Sequence, residues 1–303
     1  MVSKTYVLVS AARNEETHLE RCIGSVLSQT VMPNQWVIVS DASTDRTDDI
    51  VSRYARQHDF IQLARVEGGG KRQFASKVFA LRVGYAKLKS LEFDFIGNLD
   101  VDISLGPDYY ENVLSKFHDN EKLGVAGGLI LDVDCPQIFD KMANLNSVRG
   151  GVQLFRRQCY EEIGGYVPLE LGGEDAVAET MVRAMGWEVR TFPEIRGFHL
   201  RVSGTHGRSI RVARTSAGLR DYLLGYHPLF FTLKAIRRMI EKPYVLGSVF
   251  MLLGYWSAYL TGINPRVSSD FLSHIRTEQV SQMRSVLKRA FRMASRGNGL
   301  MDG

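Results

Sequence analysis

Cysteine is scarce in this chain: its 303 residues hold three, Cys22, Cys135 and Cys159. They are scattered, odd in number and form no C-x-x-C pair, which excludes a disulfide framework and a cysteine zinc site and suits a reducing compartment. No apolar stretch with a small-residue cleavage site opens the chain. Met1-Val2-Ser3-Lys4 runs straight into a short apolar segment, so no signal peptide is expected and the main domain is placed in the cytoplasm. Gly68-Gly69-Gly70-Lys71 has no Ser or Thr after the lysine. That excludes a P-loop and leaves a tight turn before a helix. No internal repeat and no low-complexity linker interrupts residues 1–210, which are expected to form one domain, with 211–303 as a helical appendage.

What is present is ordinary for a globular protein. Hydrophobic residues make up 45% and charged residues 23%, which excludes disordered and collagen-like classes. A formal charge of +5 favours something anionic as a partner. Nucleic acid, a phosphorylated substrate and an anionic bilayer all qualify, and charge alone does not choose among them.

The first hundred residues alternate between two patterns. Short apolar runs at Tyr6–Val9, Trp36–Ser40, Ile61–Arg65 and Phe93–Leu99 read as strands buried on both faces. Between them, Glu16–Gln29 carries Leu19, Ile23, Val26 and Leu27 at helical spacing, with Asn14 as the expected N-cap. A second helix opens at Ser43-Thr44-Asp45, and a third spans Gln73–Leu88. Such alternation implies βαβ units and a mainly parallel sheet covered by helices, an α/β class. Further strands are expected at Gly124–Val133, Gly151–Phe155 and Trp187–Phe192, and a helix at Glu174–Met185.

The last ninety or so residues differ. No residue from Pro243 to Pro265 is charged, while Lys234, Arg237, Arg238 and Lys242 precede this run and Arg266, Arg276 and Arg284 follow it. The run is long enough for a bilayer, yet positive charge on both sides conflicts with a single span. A re-entrant or in-plane helix at a membrane surface, held by its basic flanks, accounts for both features. A buried core helix and a true span are the alternatives.

Asn98-Leu99-Asp100-Val101-Asp102 follows the strand Phe93–Leu99 directly. Carboxylates at the C-terminal end of a parallel strand lie where open α/β sheets bind ligands. If the strand geometry persisted, Asp100 and Asp102 would face the same way. The pair suits a hard divalent cation, Mg²⁺ or Mn²⁺, that also accepts phosphate oxygens.

Three further segments join this one in a pattern: Ala11-Ala12-Arg13-Asn14-Glu15-Glu16, then Ser40-Asp41-Ala42-Ser43-Thr44-Asp45-Arg46-Thr47, then Gly172-Gly173-Glu174-Asp175. In their order the chain resembles family-2 glycosyltransferases of the GT-A (Rossmann-like) fold over about residues 4–200. The resemblance implies an inverting enzyme that takes one sugar from a UDP-, GDP- or dTDP-sugar with Mn²⁺ or Mg²⁺. Ala11, Arg13 and Glu15 would line the nucleoside pocket, and Asp41 would accept from the base. Lys77, in Ser76-Lys77-Val78-Phe79-Ala80-Leu81-Arg82-Val83-Gly84, would face the diphosphate as a point charge. Asp100 would touch ribose or metal. Asp102 would bind the metal, with His199 completing its shell, His206 as competitor and a purely structural histidine as the alternative to both.

The metal would stabilise the leaving diphosphate. Asp175, at a helix N-terminus that favours a carboxylate, would take the proton of the attacking hydroxyl, with Glu174 supporting it. Arg201 and Arg208 could balance pyrophosphate charge. Departures from the family pattern are Ala11 for the usual proline, Ser40 for an aspartate and Arg82 for an asparagine, and each bears on donor preference.

The Gln-x-x-Arg-Trp motif of processive synthases is absent, which implies addition of a single sugar. The basic, apolar C-terminal region makes a lipid-linked glycan the expected acceptor, with the chain peripheral on the cytoplasmic face of the cell membrane. Nucleic acid is not expected, since no recognition module is present. A nucleotidyltransferase would want a glycine-rich basic loop where Asn14-Glu15-Glu16 stands. A catalytically silent nucleotide-sugar sensor would be expected to have lost a ligand or the base, whereas Asp100, Asp102 and Asp175 are all retained.

Overall fold

Seven residues with nearly every side chain out of water, Tyr6–Ala12, make strand β1, the centre from which the sheet is built. The computed structural model describes residues 5–66, 74–132, 145–201, 209–240, 244–265 and 267–298. Gly68–Lys71, Cys135, His206, Arg208, Lys242 and Arg266 lie outside the described residues, as do Gln73 and Val133 at the ends of two expected elements. The chain divides into two compact units, Met1–Thr205 and His206–Gly303.

In the first unit α1 (Leu19–Leu27), β2 (Gln35–Asp41), α2 (Thr47–Ala55), β3 (Ile61–Val66), α3 (Phe74–Leu88) and β4 (Phe95–Asn98) follow β1. Then come β5 (Ile103–Leu105), α4 (Tyr109–Asp119), β6 (Leu123–Asp132), a 3₁₀ turn at Gly150–Val152, β7 (Leu154–Arg156), α5 (Arg157–Glu162), α6 (Glu174–Ala184) and β8 (Glu188–His199). All eight strands form one sheet in the order β3-β2-β1-β4-β7-β6-β8-β5. The pairs β1/β2, β1/β4, β2/β3 and β6/β8 are parallel. Those of β7 with β4 and β6, and of β5 with β8, are antiparallel. The chain winds outward from β1 to β3, then crosses to the other side of β1 for β4. Ligand crevices in open α/β sheets lie at such a switch, outside the carboxyl ends of the strands.

Three local readings of the sequence are corrected. Asn14 is not an N-cap: α1 begins after His18 without a side-chain cap, and Asn14 adopts a left-handed φ of 55°. The second helix starts at Thr47 rather than at Ser43, and Asp45 Oδ1 accepts from Thr47 N at 3.0 Å. The last strand continues past Phe192 to His199 because Pro193, which has no N–H for the ladder, sits in a β-bulge. The register with β6 shifts there, from Gly128↔Phe192 to Leu129↔Arg196.

The second unit holds α7 (Ile210–Leu223), α8 (Pro228–Arg237) with a 3₁₀ turn to Ile240, α9 (Val245–Leu260) and α10 (Ser269–Asn298). Phe231, Met251 and Tyr255 form its buried centre. The Tyr255 ring stacks on Phe231 with centroids 4.1 Å apart, and its hydroxyl donates to Tyr226 O at 2.5 Å. Helices α7 and α9 touch backbone to backbone. A Cβ on Gly254 would lie 2.0 Å from Thr215 O, and one on Gly218 2.0 Å from Met251 O. Gly254→Ala must therefore push the helices apart, an overpacking cost of about 1–3 kcal/mol. Amide hydrogen exchange should quicken across α7 and α9 and stay unchanged in β1, β2 and β4; equal protection in both proteins would contradict this contact.

Candidate active site

The loops after β1 and β2 brace each other at the carboxyl edge of the sheet. Asn14 and Ala42 both have positive φ, 55° and 49°, a conformation that non-glycine residues rarely adopt. Asn14 Oδ1 accepts from Thr44 N at 2.8 Å, and Glu15 N donates to Thr47 Oγ1 at 2.9 Å. Ala11 pairs with Val39 in the ladder. Arg13 Nη1 meets Asp41 Oδ2 at 3.4 Å, so the expected base-binding carboxylate and the expected pocket arginine already form a pair. Below them Trp36 Nε1 donates to Ser10 Oγ, which donates to Leu99 O. This buried chain ties β1 and β2 to the start of the Asp100 loop.

Asp100 and Asp102 do not face the same way. β4 stops at Asn98, and Ile103 N donates to Asp100 O at 3.1 Å, so a turn replaces the strand geometry on which that expectation rested. Asp100 N donates to Gly151 O at 2.9 Å, and Asp100 Oδ1 takes Lys77 Nζ at 2.6 Å. Gly151 allows this approach, since a Cβ there would lie 2.7 Å from Asp100 Oδ2.

Around Lys77 gathers the first of two charged clusters. Burial opposes its ammonium, but Asp100, Glu174 and Asp175 together outweigh burial and hold Lys77 charged well above the usual lysine range. Glu174 and Asp175 form the first turn of α6, entered through Gly172 and Gly173 at φ 79° and 98°. Burial pushes the Glu174 carboxyl up, against the pull of Lys77 and with the repulsion of Asp175. Asp175 Oδ1 accepts from Ala176 N at 2.9 Å, and its other oxygen lies 2.9 Å from where a Gly150 Cβ would stand. The 3₁₀ turn at Gly150–Val152 thus sits against both Asp100 and Asp175. Glu179 fixes that turn from beneath: its Oε1 accepts from Val148 N at 2.6 Å and from Gln153 Nε2 at 3.0 Å.

The second cluster is built by strand register. His199 at the end of β8 stands beside Asp132 of β6 and beside Ile103 of β5, the residue after Asp102. His199 Nε2 lies 3.2 Å from Asp102 Oδ2, and Nδ1 lies 3.4 Å from Asp132 Oδ1. Arg149 Nη2 approaches Asp132 Oδ1 at 3.4 Å. Arg201 Nε bonds Asp102, and its Nη2 reaches both oxygens of Glu15 at 2.6 Å. Burial works against an ionised Asp102, but His199 and Arg201 outweigh it and hold the carboxyl well below the usual range. Burial also works against a charged His199, which for an imidazole means a lower pKa, and Asp102 more than reverses that.

The profile of Glycosyl transferase family 2 matches residues 8–165, a span that holds all but the first two residues of β1, the elements from there to β7, and every site side chain except Glu174, Asp175, Glu179, His199 and Arg201. The chain belongs to that family. The poly-beta-1,6-N-acetyl-D-glucosamine synthase of Staphylococcus epidermidis is 23% identical over 202 residues, covering 60% of this chain and 47% of the synthase. The chain spans less than half the length of the curated relatives it matches. Among solved structures, a mannosyltransferase from Pyrobaculum calidifontis in complex with GDP-Man and Mn²⁺ superposes with a TM-score of 0.55 at 17% identity. It covers 96% of this chain and 88% of its own. S. aureus TarS 1-349 in complex with UDP-GlcNAc gives 0.53 at 14% identity, covering 89% and 78%. The fold of this family-2 chain is GT-A, a curled, mostly parallel sheet with helices.

Two side chains of this family-2 site have the spacing of neighbouring ligands to a divalent cation. In an octahedron with bonds near 2.1 Å, neighbouring ligand atoms stand about 3 Å apart. His199 Nε2 and Asp102 Oδ2 have that spacing, and Asp132 on Nδ1 is the outer partner that orients a ligating imidazole. Asp102 and His199 are the carboxylate and imidazole that would hold Mn²⁺ or Mg²⁺ here. Among the described residues no three His, Cys, Asp or Glu side chains converge on one point. Asp100 is held by Lys77 instead, and the Arg201 guanidinium supplies positive charge beside Asp102.

Three contributors escaped the sequence reading, Asp132, Glu179 and the Arg149 that approaches Asp132. Asp132 had a signal, an aspartate closing an otherwise apolar ten-residue strand. Glu179 had none, being one more glutamate within a helix. Arg201, expected to balance pyrophosphate, bridges Asp102 and Glu15 here.

Proposed function

We propose that this chain transfers a single sugar, with inversion, from a nucleotide-sugar to a hydroxyl of a lipid-linked glycan. The observation that carries the reading is the pair of clusters at the switch point of a GT-A sheet, joined by the three-residue link from Asp100 to Asp102. The nucleoside lies along the β1 and β2 loops, where Arg13 and Asp41 exchange their mutual contact for the base. Lys77 turns its ammonium to the diphosphate. Arg201 leaves Asp102 and follows the phosphate charge while still anchored by Glu15. Asp102 and His199 would hold Mn²⁺ or Mg²⁺, which supplies Lewis-acid stabilisation of the leaving diphosphate when bound. Asp175 removes the proton of the acceptor hydroxyl as its oxygen attacks the anomeric carbon from the face opposite the diphosphate. Glu174 keeps the acceptor hydroxyl oriented. A superposing structure carries GDP-Man with Mn²⁺ and another UDP-GlcNAc; both support a nucleotide-sugar donor here and leave its base open.

The test is a panel of UDP-, GDP- and dTDP-sugars, each with Mn²⁺, Mg²⁺ or EDTA, on wild type and Asp102→Ala. One nucleotide class should raise the melting temperature and be hydrolysed slowly in the presence of metal. Both effects should vanish with EDTA and in the variant. Thermal stabilisation by one donor class with no hydrolysis would favour the sensor reading instead, and silence toward every donor with either metal would overturn the nucleotide-sugar reading itself.

A further inference from the structure

Helix α9 presents a contradiction that the second unit does not resolve by itself. No residue from Pro243 to Pro265 is charged, and a helix apolar on every side belongs in a core or a membrane. One side is indeed in a core, with Gly247, Met251, Gly254, Tyr255 and Ala258 buried. The opposite side is in water: Leu246 is 63% exposed, Leu253 58% and Leu260 80%, with Val249 between them. These positions recur at three and four residues, so they form one stripe along the helix. A second stripe, Leu229, Leu233, Ile236 and Ile240, runs along α8 and its 3₁₀ turn, and all four are exposed. Contiguous apolar surface of this kind marks an interaction site.

Three observations select the occupant. At 1.5 Å per residue the 16 residues of α9 span about 24 Å, short of the roughly 30 Å hydrocarbon core. Among the described residues no helix is long and apolar enough to cross a membrane. From Asp221 to Asp270 the charged residues are Lys234, Arg237, Arg238, Lys242 and Arg266 against Asp221, Glu241 and Asp270, and with Lys234 paired to Asp221 at 2.7 Å the stretch keeps a positive balance. A second copy of the chain would bring this cationic surround against its own kind, whereas an anionic lipid surface complements it. We infer that the outer faces of α9 and α8 dock in the plane of an anionic bilayer, with the leucines in the acyl boundary and the arginines among the headgroups. The unit then lies on the membrane without spanning it. This inference does not rest on the transfer chemistry, and its test needs no substrate.

The full chain is sedimented with vesicles of phosphatidylcholine alone and of phosphatidylcholine with phosphatidylglycerol, beside Leu246→Glu/Leu253→Glu. Both positions face water, so the variant should keep the wild-type circular dichroism and melting curve. The expected result is binding to the anionic vesicles, weakened by salt, and reduced about tenfold or more in the double variant. Phe231→Ala, which damages the unit's interior, serves as the control for loss through misfolding. Two results would overturn the inference. One is equal sedimentation of the wild type and the double variant. The other is no vesicle binding by the wild type, together with a dimer on gel filtration that the double substitution dissolves, which would assign the surface to a second copy.

Discussion

Asp175→Asn should slow sugar transfer by about a thousandfold while leaving donor affinity near wild type. Asparagine keeps the shape, and its side-chain oxygen still accepts from Ala176 N, as Asp175 Oδ1 does at 2.9 Å. It keeps clear of the Gly150 Cα as well, where the space is already tight. What it lacks is the ability to take a proton. If proton removal is the job, kcat falls and the thermal shift produced by the donor persists. Glu174→Gln should lose much less, because Glu174 orients and does not exchange the proton. A kcat for Asp175→Asn within tenfold of wild type would remove Asp175 from the chemistry and leave its place at the head of α6 a matter of helix charge alone.

Lowering the pH from 8 to 5 should stabilise the wild type by about 3 kcal/mol relative to Glu179→Gln. Burial pushes the Glu179 carboxyl up to about 7 from its usual 4.5, with only partial relief from Val148 N–H, Ser147 and Arg183. The folded chain therefore keeps this proton through a range in which the unfolded chain has released it. Stability is highest below 4.5, falls as pH rises toward 7, and is fully reduced above that. Glutamine is neutral at every pH and can still accept from Val148 N and Gln153, so its urea denaturation midpoint should lack this slope. Contributions from other titrating groups cancel in the difference. Parallel midpoints for the two proteins from pH 5 to pH 8 would show that Glu179 stays ionised. The 3₁₀ turn against Asp100 and Asp175 would then rest on a buried charge.

The sheet's first half was legible because each strand there announces itself twice, by an apolar run and by the amphipathic helix that follows. The motif residues were legible as a set. Their contacts were not. Spacing told that Asp100 and Asp102 lie at the mouth of β4, but the turn that sends one to Lys77 and the other to His199 depends on Gly151, which approaches from a distant part of the chain. Asn14 looked like a helix cap by type, yet the loop after β2 claims its side chain first. Strand β5 is only three residues long, too short to show a period. The apolar run at 243–265 was plain in the sequence, but periodicity cannot tell a half-covered helix from a covered one when both of its faces are apolar.

The bulge at Pro193 is where the position of His199 is decided. Downstream of it every residue of β8 is assigned its neighbour by counting from Arg196 opposite Leu129, and the count brings His199 opposite Asp132. Side chains alternate between the two faces of a strand, so a slip of one residue inverts them all. Removing one residue between Phe192 and Arg196 would bring Leu200 to that place, and adding one would bring Phe198. Either way a hydrocarbon would stand where the imidazole now meets Asp102, although no residue of the site had been touched. The family-2 site of this chain is thus specified partly by an indel-sensitive counter six residues upstream of its histidine, in a stretch whose composition carries no chemistry of its own.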